Sequence, residues 1–315
     1  MSLACFSELM VTQKSKGSTR LEKIESLINW KRLDYRLKKI LARSGMGPIG
    51  YPPQTLFKAL ILQNIYGLSD PMLEEMLYDR LSFRRFCGLS LSSKIPDETT
   101  ICRFRGALIG HTDKLFSLVM TDLSSQGITL KSGAIVDATV IQSAVKAPCG
   151  GEVSDLDPDA GWTKKGGQFH HGYKAHVSCD TQGLIKDVMV TGADVHDGNV
   201  LGQVLDGSET EVYADKAYGS QKNRRLLQDH GIKDRLMYKK TAKKGRQPNW
   251  QIQLNKLWSR TRNGVERIFG HWKSIMGLTR CRYIGEEKVQ THMDLLALTY
   301  NLMRATKLKP QMVTG

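Results

Sequence analysis

Two aspartates stand in β-branched runs, where a charged side chain is unexpected. Asp137 lies within GAIVDATVIQ, a run typical of a buried strand, and Asp215 ends the similar run EVYAD. Burying an ionised carboxylate costs several kcal/mol unless a cation or several donors compensate. A strand-end aspartate that faces water explains either residue alone. Two of them on neighbouring strands indicate a ligand site, because ligands bind at the carboxyl ends of strands in open α/β sheets.

A third acid, Glu266, lies within the basic stretch TRNGVERIFGHWK. At about 100° per residue, Arg262 and Glu266 lie roughly 40° apart on a helix, and Lys273 lies roughly 20° from Arg262. Ser259, roughly 60° away, completes a polar stripe. An adjoining apolar stripe consists of Leu254, Trp258, Val265, Phe269 and Trp272. An Arg–Glu pair on a solvated face explains Glu266 alone, but not the continuation of the stripe to Lys273.

Positive charge is concentrated in the last third of the chain. The 315 residues carry a formal net charge of +15. From Lys222 to Arg282, 17 Lys or Arg residues stand against three acidic ones, so this segment holds nearly all of the excess. Such concentration is typical of a nucleic-acid footprint; a solvated lysine surface is the alternative. A membrane surface is the weaker explanation, because the segment has no long helix with a cleanly apolar face.

The composition excludes several protein classes. With 40% hydrophobic and 24% charged residues, the chain is expected to be globular. It has no run of 18 apolar residues, and its first residues lack the order of a signal peptide. The six cysteines are scattered without a CxxC pair, which disfavours a disulfide framework and a zinc ribbon and fits a reducing cytoplasm.

The element pattern changes near residue 128. Residues 1–20 are polar and expected to be flexible, and apolar residues at helical spacing predict an all-α domain over 21–128. From 129 to 283, short β-branched runs that later alternate with helices predict a mixed sheet flanked by helices. A Gly-rich insertion interrupts this part at 146–172. Residues 284–315 are expected to form a last helix and a tail.

These motifs resemble those of a known family. VDATVIQS, ADKAYGS and TRNGVERIFGHWK resemble the three acidic blocks of the DDE transposases of bacterial insertion sequences, in the large group named for insertion sequence five. The helical stretch YPPQTLFKALILQNIYGLSDPMLEEMLYDRLSFRRF is similar to their N-terminal domain. The likeness covers roughly residues 35 to 305, with the blocks in the family's order.

The resemblance implies a fold and a catalytic triad. The fold is a mixed α/β one, in which a helical N-terminal domain for DNA-end binding, dimerisation or both precedes a five-stranded ribonuclease-H-like sheet. Asp137, Asp215 and Glu266 would be both the catalytic residues and the metal ligands. The related Tyr, Arg, Glu and Lys signature matches at Arg262, Glu266 and Lys273, while Ser259 replaces the tyrosine.

The implied chemistry is metal-assisted phosphoryl transfer on DNA. Three carboxylates suit Mg²⁺, for which Mn²⁺ is an expected substitute. Two such ions would activate the attacking oxygen and stabilise the leaving one in an in-line displacement. Water would cut at the terminal inverted repeats, and the freed 3′-hydroxyl would attack target DNA. Zinc is not expected, because the histidines and cysteines lack paired spacing. No nucleotide cofactor is expected either.

Several residues are expected to contact DNA. Arg262 and Lys273 would hold phosphates. Further contacts are expected from Lys216, Arg267, Lys239, Lys240, Lys243, Lys244, Arg246 and Trp250. A solvated loop is the alternative for the basic residues 239–246, and packing in the core is the alternative for Trp250.

In the helical domain, residues 95–108 resemble the second helix of a helix-turn-helix unit. This helix would present Thr99, Thr100, Arg103 and Arg105 to a groove. A structural or dimerising helix is the alternative for this segment.

The expected partner is double-stranded DNA, both element ends and target. A homodimer or higher oligomer is expected because two element ends must be paired, and the expected location is the bacterial cytoplasm, at the nucleoid and not at a membrane. A nuclease of the same fold that does not join ends is one alternative. A DNA-binding protein without catalysis is the other, disfavoured because a binding protein has no need of Asp137 in an apolar strand.

Overall fold

The computed structural model describes residues 19–43, 50–240 and 247–308. Within these ranges the chain forms ten α-helices and six β-strands. The helices are α1 Arg20–Leu27, α2 Trp30–Arg43, α3 Pro53–Tyr66, α4 Asp70–Asp79, α5 Leu81–Cys87, α6 Glu98–Ala107, α7 Thr112–Ser125, α8 Gln221–Asp229, α9 Asn249–Ser274 and α10 Glu286–Ala305. The strands are β1 Gly133–Gln142, β2 Gly161–Lys165, β3 Gln168–Cys179, β4 Ile185–Gly192, β5 Glu211–Ala214 and β6 Lys233–Leu236.

The helices that precede the sheet pack around α3, which is buried from Thr55 to Ile65. Gly67 ends α3 with a φ of 63°, a left-handed conformation that glycine adopts without strain. Ser69 then caps α4, because its hydroxyl accepts a hydrogen bond from the Met72 amide at 3.3 Å. The predicted helical N-terminal region is therefore confirmed. No helix within the described ranges is long and apolar enough to cross a membrane.

The sheet is mixed and has β1 and β3 at its centre. β1 pairs antiparallel with β3, which pairs on its other side with β2 and β4, and β5 and β6 continue from β1 in parallel. The mixed α/β class is confirmed, but the sheet has six strands where five were expected. The additional strand, β2, forms a hairpin with β3 inside the Gly-rich insertion. Gly166 and Gly167 make its turn with φ values of 59° and 83°, which two glycines allow.

Helices cover both faces of the sheet. Successive side chains of β1 point to opposite faces. Ile135 packs with Val265 and Trp272 of α9, and the same core contains residues of α10. On the other face, Val136 packs with Leu227 of α8. The first half of β1, up to Val136, is therefore buried on both faces, which explains the apolar residues that precede its single aspartate.

The outer edge of β4 is paired with side chains of α10. The Asn301 amide accepts a hydrogen bond from the Ile185 N–H and donates one to the Ile185 carbonyl, both at 2.8 Å. Further along the edge, the Gln290 amide accepts from the Val190 N–H at 2.7 Å and donates to the Val188 carbonyl at 2.9 Å. Two amide side chains thus satisfy backbone groups that an edge strand leaves unpaired.

Candidate active site

The parallel pairing of β1 with β5 brings the first two acids together. The register aligns Val136 with Ala214, so Asp137 and Asp215 are the next residues along the two strands. Asp137 lies in the middle of β1, whereas β5 ends at Ala214 and Asp215 precedes a short 3₁₀ turn. The charge on Asp215 acts to raise the pKa of Asp137, as expected for neighbouring carboxylates.

Helix α9 brings Arg262 and Glu266 to the same end of the sheet. Its buried residues are Asn255, Trp258, Val265, Ile268 and Trp272. Gly264 lies against the strand: a Cβ atom at this position would be 3.2 Å from Cδ1 of Ile135. The absence of a side chain therefore lets α9 approach β1 closely, immediately beside the acidic residues.

Arg262 joins two of the three carboxylates. Its Nη1 donates to Oδ2 of Asp137 at 2.6 Å, and its Nη2 donates to Oε1 of Glu266 at 2.8 Å. The Arg262 and Asp137 side chains are 17% and 18% exposed, whereas Glu266 is 52% exposed. The Arg–Glu pair on a solvated helix face, which was the alternative explanation for Glu266, is thus present. The same guanidinium, however, also contacts Asp137 in the sheet. The Asp137 contact is the better shielded of the two, and the Glu266 contact is a surface pair that contributes little.

Burial raises the pKa of Asp137 to about 6. The Ala138 amide, which donates to Oδ1 at 2.9 Å, and the Arg262 guanidinium oppose this rise. A carboxylate with little access to water, and with a second acid beside it, is stable as an anion only when a cation is close. This site therefore requires positive charge, and Arg262 supplies part of it.

The donor chemistry of the three acids fits a hard divalent cation, which prefers carboxylate oxygens. In the described ranges, however, no three His, Cys, Asp or Glu side chains are grouped closely enough to hold an ion together. The guanidinium of Arg262 is the physical reason, because it lies between Asp137 and Glu266. The strand register sets Asp137 beside Asp215, and Glu266 is linked to Asp137 through Arg262.

Three further residues expected to contact phosphates lie at the surface. Lys216, Arg267 and Lys273 are all exposed. Partial burial lowers the pKa of Lys273, and the positive charge of Lys165 lowers it further. Lys165, at the end of β2, was not identified from the sequence because β2 itself was not predicted.

Ser259 occupies the position where the family signature has tyrosine. Its hydroxyl donates to the carbonyl of Lys256 in the preceding turn of α9, at 3.1 Å. The hydroxyl is therefore satisfied within its own helix.

The basic loop is described only at its start. Lys239 and Lys240 are exposed. Lys243, Lys244 and Arg246 lie outside the described residues.

Trp250 follows the basic loop and is 53% exposed. Its ring meets Tyr238 edge-on with centroids 5.2 Å apart, and Tyr238 stacks on the buried Trp258 at 5.7 Å. The Arg224 guanidinium lies 4.4 Å from the centre of the Tyr238 ring. Tyr238 thus links an exposed tryptophan to the core, a role that sequence reasoning missed because it depends on contacts between separate elements.

The helix expected to meet a DNA groove is α6. It exposes Thr99 and Arg103 and half-buries Thr100. Arg105 is only 6% exposed, and it donates hydrogen bonds to Asp70 and to Gln63 at 3.1 Å. The expectation that Arg105 is exposed to a groove is therefore wrong, because this side chain ties α6 to α3 and α4 inside the helical region.

The comparisons with known proteins agree with this organisation. Residues 128–302, more than half of the chain, match the family model described as the Transposase DDE domain. Residues 9–107 match a second model, described as a Transposase domain. No solved structure matches the chain. The chain therefore belongs to the DDE transposases of insertion sequences; its placement in the group named for insertion sequence five stays a prediction.

Proposed function

We propose that this transposase cleaves DNA at the terminal inverted repeats of its insertion sequence and joins the 3′-hydroxyl ends to target DNA. We assign Asp137, Asp215 and Glu266 as the catalytic residues and as ligands of Mg²⁺, two ions per site, with Mn²⁺ as a substitute. The support is the register that sets Asp137 beside Asp215, together with the link from Asp137 to Glu266 through Arg262. Residues 21–128 would bind DNA ends, dimerise or both.

When bound, divalent ions in such a site activate the attacking oxygen and stabilise the leaving one in an in-line displacement. The two aspartates offer their carboxylates from the sheet, where the strand pairing fixes their separation. Glu266 offers a third carboxylate from α9, and Gly264 allows this helix to lie close to β1. The shielding of Asp137 from water strengthens its attraction to any cation that enters.

Arg262 acts as the exchangeable cation of this site. Without DNA it compensates the charges of Asp137 and Glu266. A DNA phosphate competes for the same guanidinium, which binds phosphate in a two-pronged manner. Transfer of Arg262 to the phosphate frees both carboxylates, so DNA binding and ion binding support each other. Lys273, Lys216 and Arg267 add phosphate contacts around the same helix.

The test is a cleavage assay on labelled DNA that carries the sequence flanking the reading frame, with Mg²⁺ and a target duplex. The expected products are strands cut to leave a 3′-hydroxyl and strand-transfer products. Asp137→Asn is expected to abolish both while DNA binding is largely kept. Undiminished cleavage by this variant would contradict the assignment.

The same assay separates the alternatives. Cutting without joining favours a nuclease. Binding without any product, in the presence of Mg²⁺ or Mn²⁺, favours a DNA-binding protein that has lost catalysis.

A further inference from the structure

A small cavity lies on a different face of α9 from the acidic residues. It forms where α9, α10 and the turn between β3 and β4 meet, and its volume is about 130 Å³. Five polar or aromatic side chains line it, from Arg267 and His271 of α9, Tyr300 and Arg304 of α10, and Gln182 of the turn, and Gly183 and Gly264 complete the lining. Arg267 is roughly 100° around the helix from Glu266. None of these five residues touches the acidic site through a hydrogen bond or ion pair among the described contacts.

Two arginines from different helices bring positive charge to this cavity. Burial raises the pKa of Tyr300, while the charges of Arg304 and Arg267 act to lower it, so both guanidiniums lie within electrostatic reach of the phenol. No carboxylate lines the cavity. In the described part of the chain, neither arginine forms an ion pair. The charge at this cavity is therefore unbalanced within the protein.

His271 adds a buried nitrogen that has no partner. Its Nε2 atom is shielded from solvent and makes no hydrogen bond among the described residues. Burial lowers the pKa of His271, and the charges of Lys307 and Arg20 lower it further. Two more cations are thus within electrostatic reach of the histidine, one just beyond the end of α10 and one at the start of α1. The ring of His271 lines the cavity, so an anion bound there would favour the charged form of the imidazole.

The size of the cavity selects a small ligand. Sites for drug-sized molecules measure roughly 300–1,000 Å³, so about 130 Å³ suits a group such as phosphate. The Nε of Arg304 donates to the Gln182 carbonyl at 2.8 Å, which orients the guanidinium and leaves its Nη donors available. Arginine forks match the geometry of phosphate oxygens. The lining thus offers directional donors as well as charge.

We propose that this pocket binds a backbone phosphate of DNA, at a position other than the one that is cleaved. Arg267 is roughly 7.5 Å along α9 from Arg262 and roughly 140° around it. The two arginines therefore hold different phosphates, and the pocket anchors DNA beside the reacting segment. The proposal rests on the membership of the chain in a DNA-processing family and on the unbalanced charge, and it does not depend on the acidic triad.

The first test measures DNA binding by Arg267→Gln/Arg304→Gln in an Asp137→Asn background. Binding is then read without cleavage, and it is informative even if the protein proves catalytically silent. The matched control is Lys114→Gln/Lys288→Gln, which removes two exposed charges beside the acidic side chains of Asp113 and Glu287.

With a short DNA duplex, we expect the arginine variant to lose about fivefold or more in affinity at low salt and to flatten the log–log salt dependence by about one. The control should change both quantities much less. Equal effects of the two variants would overturn the proposal, because the loss would then reflect net charge alone.

The second test uses inorganic phosphate and compares it with chloride at equal ionic strength. We expect phosphate to raise the Tm of the parent protein but not that of the arginine variant. The Tm in chloride also reports folding, and it should change little in the variant, because the loss of the Arg304–Gln182 hydrogen bond opposes the relief of charge repulsion. Arg267→Lys/Arg304→Lys, which keeps the charges, should retain most of the salt dependence.

Stabilisation by phosphate with an unchanged DNA affinity and salt dependence would assign the pocket to a free anion and overturn the DNA proposal. The absence of both effects would exclude the pocket as an anion site.

Discussion

Helix α9 carries two charged sites on different faces, and they differ in how their charge is balanced. At the acidic site, Arg262 pairs with Asp137 and Glu266 at 2.6 and 2.8 Å. At the basic pocket, Arg267 and Arg304 have no acid beside them. The acidic site is only partly compensated without a ligand, because Arg262 pairs with two of its three carboxylates, and in the proposed mechanism it opens when another anion takes over Arg262. At the basic pocket, the positive charges of Arg267 and Arg304 repel each other, and a bound anion would reduce this repulsion. Transposition would therefore begin with phosphate binding, and exposure of the carboxylates would follow.

The largest expected effect is on catalysis at the acidic site. Asp215→Asn or Glu266→Gln should lower the cleavage rate by on the order of 10³-fold or more, because each removes a charge worth several kcal/mol to the transition state. Single-turnover cleavage of labelled element-end DNA measures this. The matched control is Asp187→Asn on β4, away from the site, which should leave the rate nearly unchanged. A Glu266→Gln variant that cleaves at the normal rate would remove Glu266 from the triad.

The next prediction compares the stability of variants on the two charged faces of α9. Arg262→Gln leaves Asp137, Asp215 and Glu266 without their cation, so the free energy of unfolding should fall by about 1–3 kcal/mol. Mg²⁺ should then raise the Tm of this variant more than that of the unmodified protein, since the ion no longer competes with Arg262. Thermal denaturation without DNA measures both changes.

Arg267→Gln is the control for this prediction. It removes the same charge from the same helix, but its neighbours are cations, so stability should stay the same or rise slightly. Equal destabilisation by the two substitutions would contradict the contrast between the two faces.

A smaller effect concerns pH. His271 has a lowered pKa and is mainly neutral near neutral pH. A phosphate in the pocket favours the imidazolium, so the complex binds more protons than the free protein, and DNA affinity should rise as pH falls from about 7 to 5. The rise should be a few-fold, because Arg267, Arg304, Lys307 and Arg20 all oppose the added charge.

The measurement is the ratio of DNA affinities of the unmodified protein and His271→Gln at each pH. Since glutamine does not titrate in this range, a ratio that stays constant across the range would show that His271 does not face the bound phosphate.

The smallest effect is expected at the end of α9. Lys273 is exposed and lies near Lys165, so each compensates in part for loss of the other. Lys273→Ala should weaken DNA binding about two- to threefold and reduce the salt dependence by about one. The double variant Lys165→Ala/Lys273→Ala should lose more free energy of DNA binding than the two single variants lose together. A salt titration of DNA affinity tests this, and strictly additive losses would show that the two lysines contact DNA independently.

Local patterns predicted most of the elements that carry the acidic site. β-branched runs identified the strands of Asp137 and Asp215, and helical spacing identified the stripe of α9. The contact between Arg262 and Asp137 could not be predicted from these local patterns. It depends on how closely Gly264 lets α9 approach β1, and a periodicity carries no information on the distance between elements.

Two predictions were wrong or incomplete, and each has its own cause. Arg105 has the sequence context of an exposed helical arginine, but Asp70 and Gln63 from two other helices draw it inside. Strand β2 was missed because few β-branched residues flank its Gly166-Gly167 turn, although that turn is itself a hairpin signal. The sequence of the insertion is dominated by glycine and charge, which favour a loop when judged locally.

The amides of α10 limit how copies of this chain can associate. An open strand edge recruits further strands, and each recruited strand presents a new edge, so that growth has no natural end. At β4, Asn301 and Gln290 already occupy the backbone groups through which such growth would start. A copy that bound there would first have to replace four hydrogen bonds within the same molecule. Pairing of two copies through β4 would therefore cost these bonds, so the two copies that paired DNA ends would require are expected to meet through other surfaces.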